Sequence, residues 1–151
     1  MYMKPDTLAL AQTEGRAPWN NVEFDTRDFV VFKDAYPVTE GHTLIVPREA
    51  TQENIMKCFN FAISMGYDNV VSDNNNITGY NMGINMGESA GQTVMYPHVH
   101  LIFRRDGDIE DPRGGIRHVI PSKGNYRKDD ENLINHQAYA EQELRQARFD
   151  F

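Results

Sequence analysis

Two histidines separated by a single residue, His98 and His100, are the side chains of this chain best suited to chemistry. The neutral nitrogen of an imidazole is nucleophilic near neutral pH and can attack phosphorus, and water can then cleave the resulting phosphoramidate. A second imidazole two residues away can donate to a phosphate oxygen or to the leaving group. Because metal-binding strands also carry histidines at this spacing, the pair alone leaves both phosphate chemistry and a metal site open.

The loop before these histidines offers further groups that suit phosphate. Residues 91–93 read Gly-Gln-Thr and could supply a side-chain amide, a hydroxyl and backbone N–H donors, which stabilise the charge that develops on phosphate. Side chains alternate between the two faces of an extended strand, so Tyr96, His98 and His100 are predicted to point the same way. We therefore expect that face to carry a polar site rather than core.

The bulk composition indicates one globular domain and narrows its partners. The chain has 151 residues, of which 40% are hydrophobic and 25% are charged, which is enough to bury a core. A net charge of −7 argues against nucleic acid and anionic membranes as partners, because both need positive protein surface. The single cysteine, Cys58, rules out an intrachain disulfide and fits a reducing cytoplasm, where we expect the protein. No signal peptide or membrane-spanning run is recognised.

Hydrophobic patterning predicts strands and helices with short connections. Apolar runs predict four strands, and apolar residues at three- and four-residue spacing predict one long amphipathic helix. The strands are expected at residues 28–34, 42–47, 79–85 and 94–104, the long helix at 51–71, and a polar helix at about 129–148. The link between the first two strands is too short for a parallel crossover, so they are expected to pair antiparallel. The order of the elements indicates an α+β fold with an antiparallel sheet.

The motifs around the histidines closely resemble those of the histidine-triad (HIT) superfamily of nucleotide hydrolases and transferases. That family's signature is a Gly-Gln-Ser/Thr-Val step before three histidines that alternate with apolar residues. Residues 91–102 read Gly-Gln-Thr-Val-Met-Tyr-Pro-His-Val-His-Leu-Ile. Residues 34–47 are similar to the family's Asp-x-x-Pro-x-x-x-Gly-His-x-Leu segment, and residues 107–121 resemble the tail of a bacterial branch often described as diadenosine-polyphosphate hydrolases.

The resemblance covers about residues 25–126 and implies the architecture of the chain. It implies an antiparallel five-stranded sheet with a long helix and a C-terminal helix, and a homodimer of two such units. The predicted organisation is an irregular N-terminal segment over residues 1–24, a HIT domain over 25–126 and a C-terminal helical extension over 127–151.

The resemblance also implies a role for each matching residue. His98 would be the nucleophile that becomes nucleotidylated, His100 would contact the phosphate, and His42 would support the histidines from the neighbouring strand. Gln92 and Thr93 would contact the phosphate and the leaving group, and Asn85 and Gly91 would contact the nucleotide near its phosphate. Asp34 would bind the ribose, and Phe32 and Ala35 would lie against the base.

Tyr96 departs from the family, which has a histidine at this first position of the triad. The nucleophile's other nitrogen donates to the main-chain carbonyl of that residue in the family, and a tyrosine still supplies a carbonyl. Pro97 removes one strand N–H, but the family's uridylyltransferase branch also has proline between the first two positions. We expect turnover to be retained, although slower.

The function that the resemblance implies is nucleotide hydrolysis or nucleotidyl transfer through a covalent nucleotidyl-histidine. The substrate would be a purine nucleotide, attacked at the α-phosphate of a dinucleoside polyphosphate or a nucleoside phosphoramidate. No cofactor is expected, and Mg²⁺ bound to a polyphosphate substrate stays open. Two alternatives remain: a nucleotide-binding module with little catalysis, suggested by Tyr96, and a metal-binding protein that uses His42, His98 and His100.

Overall fold

The computed structural model describes residues 4–125 and 141–145, which divide into two compact units, one up to Asp106 and one from Gly107. The first unit contains a five-stranded antiparallel sheet with the strand order β1-β2-β3-β5-β4. Its strands are β1 (Val22–Asp25), β2 (Phe29–Lys33), β3 (Thr43–Pro47), β4 (Gly79–Gly83) and β5 (Val99–Arg104), and its helices are α1 (Leu8–Thr13) and α2 (Gln52–Val71). The predicted α+β fold with a five-stranded antiparallel sheet and a long helix is confirmed.

Helix α2 covers one face of the sheet. The hydroxyl of Thr51 caps its first turn by accepting from the N–H of Asn54 at 3.2 Å. Its buried residues Cys58, Ala62 and Gly66 are small, which lets the helix lie close to the strands. A Cβ atom at Gly66 would lie 2.6 Å from the ring of Tyr80, so only glycine fits here. The cluster between α2 and the sheet includes Val31, Ile45, Val99, Leu101 and Phe103.

Helix α1 packs on a second apolar cluster. The strand residues of this cluster alternate along the chain with those of the first cluster, so they lie on the other face of the sheet. This cluster joins Leu8 and Ala11 of α1 to Phe32, Leu44 and Tyr96. The prediction of an irregular segment over residues 1–24 is therefore wrong for α1 and for the start of β1. The six-residue helix buries only two side chains, and the four-residue strand β1 is mostly exposed and irregular in register, so neither leaves a clear hydrophobic pattern.

Strand β5 begins at Val99, five residues later than the predicted start at Val94. Pro97 has no N–H to give to a sheet ladder, which is consistent with a strand that starts only after it. Within β5 the predicted alternation holds, because Val99, Leu101 and Phe103 are buried while His100 is part of the opposite face. His98 therefore lies just before the strand, not inside it.

The second unit is built from turns and short 3₁₀ segments in the part of it that the structure describes. Two 3₁₀ turns cover Gly115–Val119 and Pro121–Lys123. The carboxylate of Asp111 accepts from Arg113 at 2.7 Å and from the side chain of Asn125 at 2.7 Å. Residues 141–145 are helical and exposed, and the rest of the predicted helix at 129–148 lies outside the described residues.

The domain boundaries predicted after residues 24 and 126 stay predictions. Among the described helices, none is long and apolar enough to pass through a membrane.

Candidate active site

His42 and His100 form a chain of hydrogen bonds that fixes where each ring carries its proton. Nδ1 of His42 accepts from the main-chain N–H of Val38 at 3.1 Å, so the proton of the neutral ring is on Nε2. That Nε2 lies 2.9 Å from Nδ1 of His100 and therefore donates to it. The neutral ring of His100 consequently carries its own proton on Nε2.

The sheet brings these two rings together. His42 directly precedes β3, and His100 is the second residue of β5, which pairs with β3 so that His100 lies opposite Leu44. Gly41 makes the turn into β3 with a φ of 89°, which a residue with a side chain rarely adopts. The Gly-His step that resembled the family therefore has a local physical reason, since the glycine turn places His42 beside β5.

His98 has the opposite arrangement of proton and lone pair. Its Nδ1 lies 2.8 Å from the main-chain carbonyl oxygen of Tyr96, which can only accept, so Nδ1 carries the proton. Nε2 of the neutral His98 ring therefore carries a lone pair. The rings of His98 and His100 are 5.1 Å apart between centroids, so one ring presents a nucleophile close to another that presents a donor.

Tyr96 holds His98 through its main chain while its side chain points elsewhere. The side chain is only 1% exposed and belongs to the apolar cluster under α1. Its hydroxyl donates to the carbonyl oxygen of Pro47 at 2.6 Å. The prediction of polar surroundings for Tyr96 is wrong, because its ring is buried in this apolar cluster. The cluster includes Leu44, which pairs with His100 and so lies on the same face of the sheet as that histidine.

The surroundings keep all three imidazoles neutral. Burial lowers the pKa of His42 and of His98. This effect outweighs the groups that favour the charged form, namely the carbonyl of Tyr96 for His98 and the carboxylate of Asp34 for both rings. The pKa of His100 is lowered to about 4, first by burial and then by the neighbouring rings of His98 and His42. Near neutral pH the lone pair of His98 is therefore available for attack.

A cleft of about 510 Å³ opens beside His98 and His100. Nε2 of each ring has no hydrogen-bond partner within the part of the chain that the structure describes, and neither atom is sealed from solvent. The cleft is therefore large enough for a nucleotide fragment and is bordered by one imidazole lone pair and one imidazole N–H.

Five of the residues predicted to bind a nucleotide or its phosphates line this cleft, namely Asp34, Ala35, Asn85, Gly91 and Thr93. One carboxylate oxygen of Asp34 accepts from the N–H of Tyr36 at 2.7 Å, and the other lies 3.5 Å from Nε2 of His42. These contacts hold the carboxylate at the end of β2, and its oxygens can still accept further hydrogen bonds. Neither the N–H nor the hydroxyl of Thr93 has a hydrogen-bond partner among the described residues.

Gln92 and Phe32 do not line the cleft. The side-chain oxygen of Gln92 accepts from the N–H of Gly87 at 2.7 Å, and its nitrogen donates to the carbonyl of Met95 at 3.0 Å. The side-chain amide of Gln92 thus stabilises the loop between Gly87 and Met95. Phe32 is 1% exposed and borders a separate cavity of about 340 Å³ next to α1.

Residues that received no site role from the sequence also line the cleft, among them Trp19, Lys33 and Tyr36. The indole of Trp19 lies 4.8 Å from the ring of His98 between centroids. Lys33 and Tyr36 flank Asp34 in sequence, so their nearness to that carboxylate could have identified them. Trp19 stands in a polar segment of the sequence, where no neighbouring motif indicates a contact with His98.

Asp34, His42 and His100 could also hold a metal ion, since a ligand atom of each lies within 4.8 Å of the others. A metal on Nε2 of His42 would need the ring proton on Nδ1, where the N–H of Val38 already donates. Tetrahedral zinc separates nitrogen ligands by about 3.3 Å, whereas the two histidine nitrogens are 2.9 Å apart. The rings fit a hydrogen bond better, and His98 of the predicted metal set does not converge with the other two.

Comparison with known proteins gives a consistent family. Residues 14–107 match the model of the HIT domain. An uncharacterised HIT-like protein of Saccharolobus solfataricus is 34% identical over 107 residues, which are 66% of this chain and 72% of that protein. The bis(5'-adenosyl)-triphosphatase of Dictyostelium discoideum is 29% identical over 105 residues, which are 62% of this chain and 69% of the triphosphatase.

The nitrilase and fragile histidine triad fusion protein of Caenorhabditis elegans is 29% identical over 99 residues, which are 62% of this chain. The chain spans only 22% of that fusion protein's length. Among solved structures, SMU.412c from Streptococcus mutans superposes with a TM-score of 0.56 and 26% identity, over 91% of this chain and 84% of the other. A zinc-bound histidine triad family protein from Mycobacterium smegmatis gives a TM-score of 0.55 and 27% identity, over 68% and 78%.

Proposed function

Because the chain belongs to the HIT domain family, we propose that it is a nucleotide hydrolase that cleaves at an α-phosphate through a nucleotidyl group on His98. The observation that carries the proposal is the opposite protonation of two neighbouring rings at one cleft. Nε2 of His98 carries a lone pair and Nε2 of His100 carries a proton, as their fixed Nδ1 atoms require. A lone pair beside an N–H donor suits attack on a phosphate whose oxygen is held by the donor.

The first step forms one bond and breaks another. The lone pair of His98 Nε2 makes a bond to the α-phosphorus, and the P–O bond to the leaving group breaks with its electron pair on the leaving oxygen. His100 donates its Nε2–H to an oxygen of the phosphate under attack and keeps its proton. Thr93, whose N–H and hydroxyl have no partner among the described residues, supplies further donors to the phosphate.

Water completes the cycle. It attacks phosphorus, the P–N bond breaks with its electron pair returning to Nε2 of His98, and the proton of the water is lost to solution. The product is a nucleoside monophosphate. Since Nδ1 of His98 keeps its hydrogen bond to the carbonyl of Tyr96 throughout, the ring does not have to turn between the two steps.

The state of His100 favours some leaving groups over others. With its Nδ1 occupied by the donor from His42, His100 can give up its Nε2 proton only by becoming an anion. A polyphosphate leaves as a stable anion without a proton, whereas an amine needs one. We therefore propose dinucleoside polyphosphates as the better substrates and phosphoramidates as slower ones, which is consistent with the name of the Dictyostelium triphosphatase.

Further features belong to the same proposal. Asp34 would accept hydrogen bonds from the ribose hydroxyls, and Ala35 would lie beside a purine base. Tyr96 would occupy the first position of the triad, and its main-chain carbonyl would accept the hydrogen bond from Nδ1 of His98. Mg²⁺ would enter with a polyphosphate substrate, and the working protein would be a cytoplasmic homodimer with no nucleic-acid or membrane partner.

Product analysis tests this function. The purified protein is incubated in ¹⁸O-labelled water with diadenosine tri- and tetraphosphate and adenosine 5'-phosphoramidate, and the products are separated. We expect labelled AMP from the wild type and none from His98→Asn, whose amide can still donate to the carbonyl of Tyr96. Micromolar binding of every nucleotide without any product would favour the binding module instead.

A further inference from the structure

We propose that Trp19 stabilises the nucleotidyl-histidine on His98, because its indole lies where it can attract the positive charge that the imidazole gains. The inference deepens the proposed function and rests on it. Trp19 is the single tryptophan of the chain. Its ring centroid lies 4.8 Å from that of His98, with 55° between the ring planes. A cation over the face of an indole and within about 6 Å of its centroid is attracted by the ring's electrons.

The charge follows from the hydrogen bond of His98. Its Nδ1 keeps a proton because the carbonyl of Tyr96 can only accept. When the lone pair of Nε2 forms the bond to phosphorus, the ring therefore becomes a cation. The ring is neutral again once water has broken that bond. An electron-rich partner stabilises the charged intermediate and the transition state before it more than the resting enzyme. Such a difference raises the rate of the chemical step and does not merely tighten binding.

Few other groups near His98 can share this charge. The ring is 8% exposed, so little water reaches it. The main-chain carbonyl of Tyr96, which accepts from Nδ1, and then the carboxylate of Asp34 also favour the cation. His100, which lies against the ring, is neutral near pH 7. His42 is also neutral and is turned toward His100. The indole is the aromatic partner that takes the place of solvent beside the ring.

Trp19 is itself held in place by packing. Its ring lies 6.0 Å from the ring of Phe32 between centroids, and its main-chain carbonyl accepts from the side chain of Gln12 at 3.4 Å. The indole N–H has no hydrogen-bond partner in the described chain and is open to solvent. A ring of the same shape should therefore keep the fold, so that electronic and steric roles can be separated. Trp19 acts through His98 and is a positioning residue.

Fluorinated tryptophans provide the test, since biosynthetic incorporation changes this position alone. Fluorine withdraws electron density from the ring while nearly conserving its shape. We expect the rate of adduct formation on His98, measured by rapid quench with diadenosine tetraphosphate, to fall stepwise with the number of fluorines. The total decrease should be about 2- to 30-fold, with little change in KM. Equal rates across the series would overturn the proposal and leave Trp19 as an apolar wall.

A second measurement needs no turnover. Protonation also makes His98 a cation, so NMR titration of ¹⁵N-labelled histidine should give a lower pKa for His98 at each added fluorine. Trp19→Phe, which keeps a weaker aromatic face, should lie between the wild type and Trp19→Leu in both measurements. A pKa of His98 that does not respond to fluorination would contradict the role of Trp19. Absence of product from every nucleotide would instead contradict the proposed function, and the titration would still decide about Trp19.

Discussion

His42 donates a hydrogen bond from its Nε2 to Nδ1 of His100, with 2.9 Å between the two nitrogens. The direction is fixed because the other nitrogen of His42 accepts from the main-chain N–H of Val38. A backbone group outside the cleft thus determines that His100 presents a proton to it. The relationship suggests that His42 serves the reaction without touching the substrate.

Replacing His42 should therefore slow the reaction through the protonation of His100. In His42→Leu, Nδ1 of His100 loses its donor and the ring is free to place its proton on either nitrogen. We expect kcat to fall about 10- to 100-fold, a loss of the size seen when the hydrogen-bond partner of a metal-ligating histidine is removed, with KM nearly unchanged. His42→Gln, whose amide can still donate to Nδ1, is the matched control and should retain more activity. Equal kcat values for the two variants would contradict this role.

The leaving group should determine how strongly the rate depends on acid. A polyphosphate needs no proton from His100, so its rate should be flat on the acidic side until His98 becomes protonated. A phosphoramidate needs a proton on its amine, and its relative rate should rise as the pH is lowered from about 8 to 6. The measurement is the ratio of kcat/KM for adenosine 5'-phosphoramidate and diadenosine tetraphosphate across this range. A phosphoramidate that is the faster substrate at pH 8 would contradict the assignment.

Stability should fall as the pH drops below the ordinary range of histidine. The pKa values of His42, His98 and His100 are lowered in the folded protein, that of His100 to about 4. Between about pH 6.5 and pH 4 the unfolded chain therefore binds protons that the folded chain does not. For His100 the contribution to the free energy of unfolding decreases across this window by about 1.4 kcal/mol per pH unit and is fully present only above it. His42 and His98 contribute in the same direction.

Urea unfolding of the wild type and of His100→Asn between about pH 7.5 and 4 isolates the contribution of His100 to the pH dependence of stability. The difference between the two curves removes the contribution of the carboxylates, which both proteins share. We expect the variant to lose less stability on acidification. Parallel curves would contradict this expectation, because they would show that His100 has the same pKa in the folded and the unfolded chain.

Tyr96→Phe should lower stability and leave the chemistry in place. The substitution removes the 2.6 Å hydrogen bond to the carbonyl of Pro47 and leaves that buried oxygen without its donor, at a cost of about 1–3 kcal/mol. His98 still donates to the main-chain carbonyl of residue 96, so kcat should stay within about threefold at a temperature where both proteins are folded. A large loss of kcat in a protein that remains folded would give the Tyr96 side chain a direct part in the reaction.

The features that the sequence predicted well are those set by local order along the chain. The spacing of His98 and His100, the glycine turn before His42 and the apolar spacing of α2 each act over a few residues. The meeting of His42 with His100 depends on the pairing of β3 with β5, which only the resemblance to the family implied. The Asp at residue 34 likewise ends β2 beside the cleft because strand and turn signals adjoin there.

Features that depend on distant packing were missed. The inward side chain of Tyr96 depends on the apolar pocket formed by α1 and β3, and α1 itself is too short to leave a pattern. Gln92 is occupied by its own loop, which only the closure of that loop reveals. The contact of Trp19 with His98 joins the N-terminal segment to the start of β5, and no spacing along the chain encodes it.

The most direct measurement is mass spectrometry of protein quenched within milliseconds of mixing with diadenosine tetraphosphate, followed by peptide mapping at neutral or alkaline pH. The proposed function predicts an added adenylyl group on His98, formed and lost at rates that account for kcat, and none on His98→Asn. Full turnover with an unmodified His98, or with the group on another residue, would contradict it.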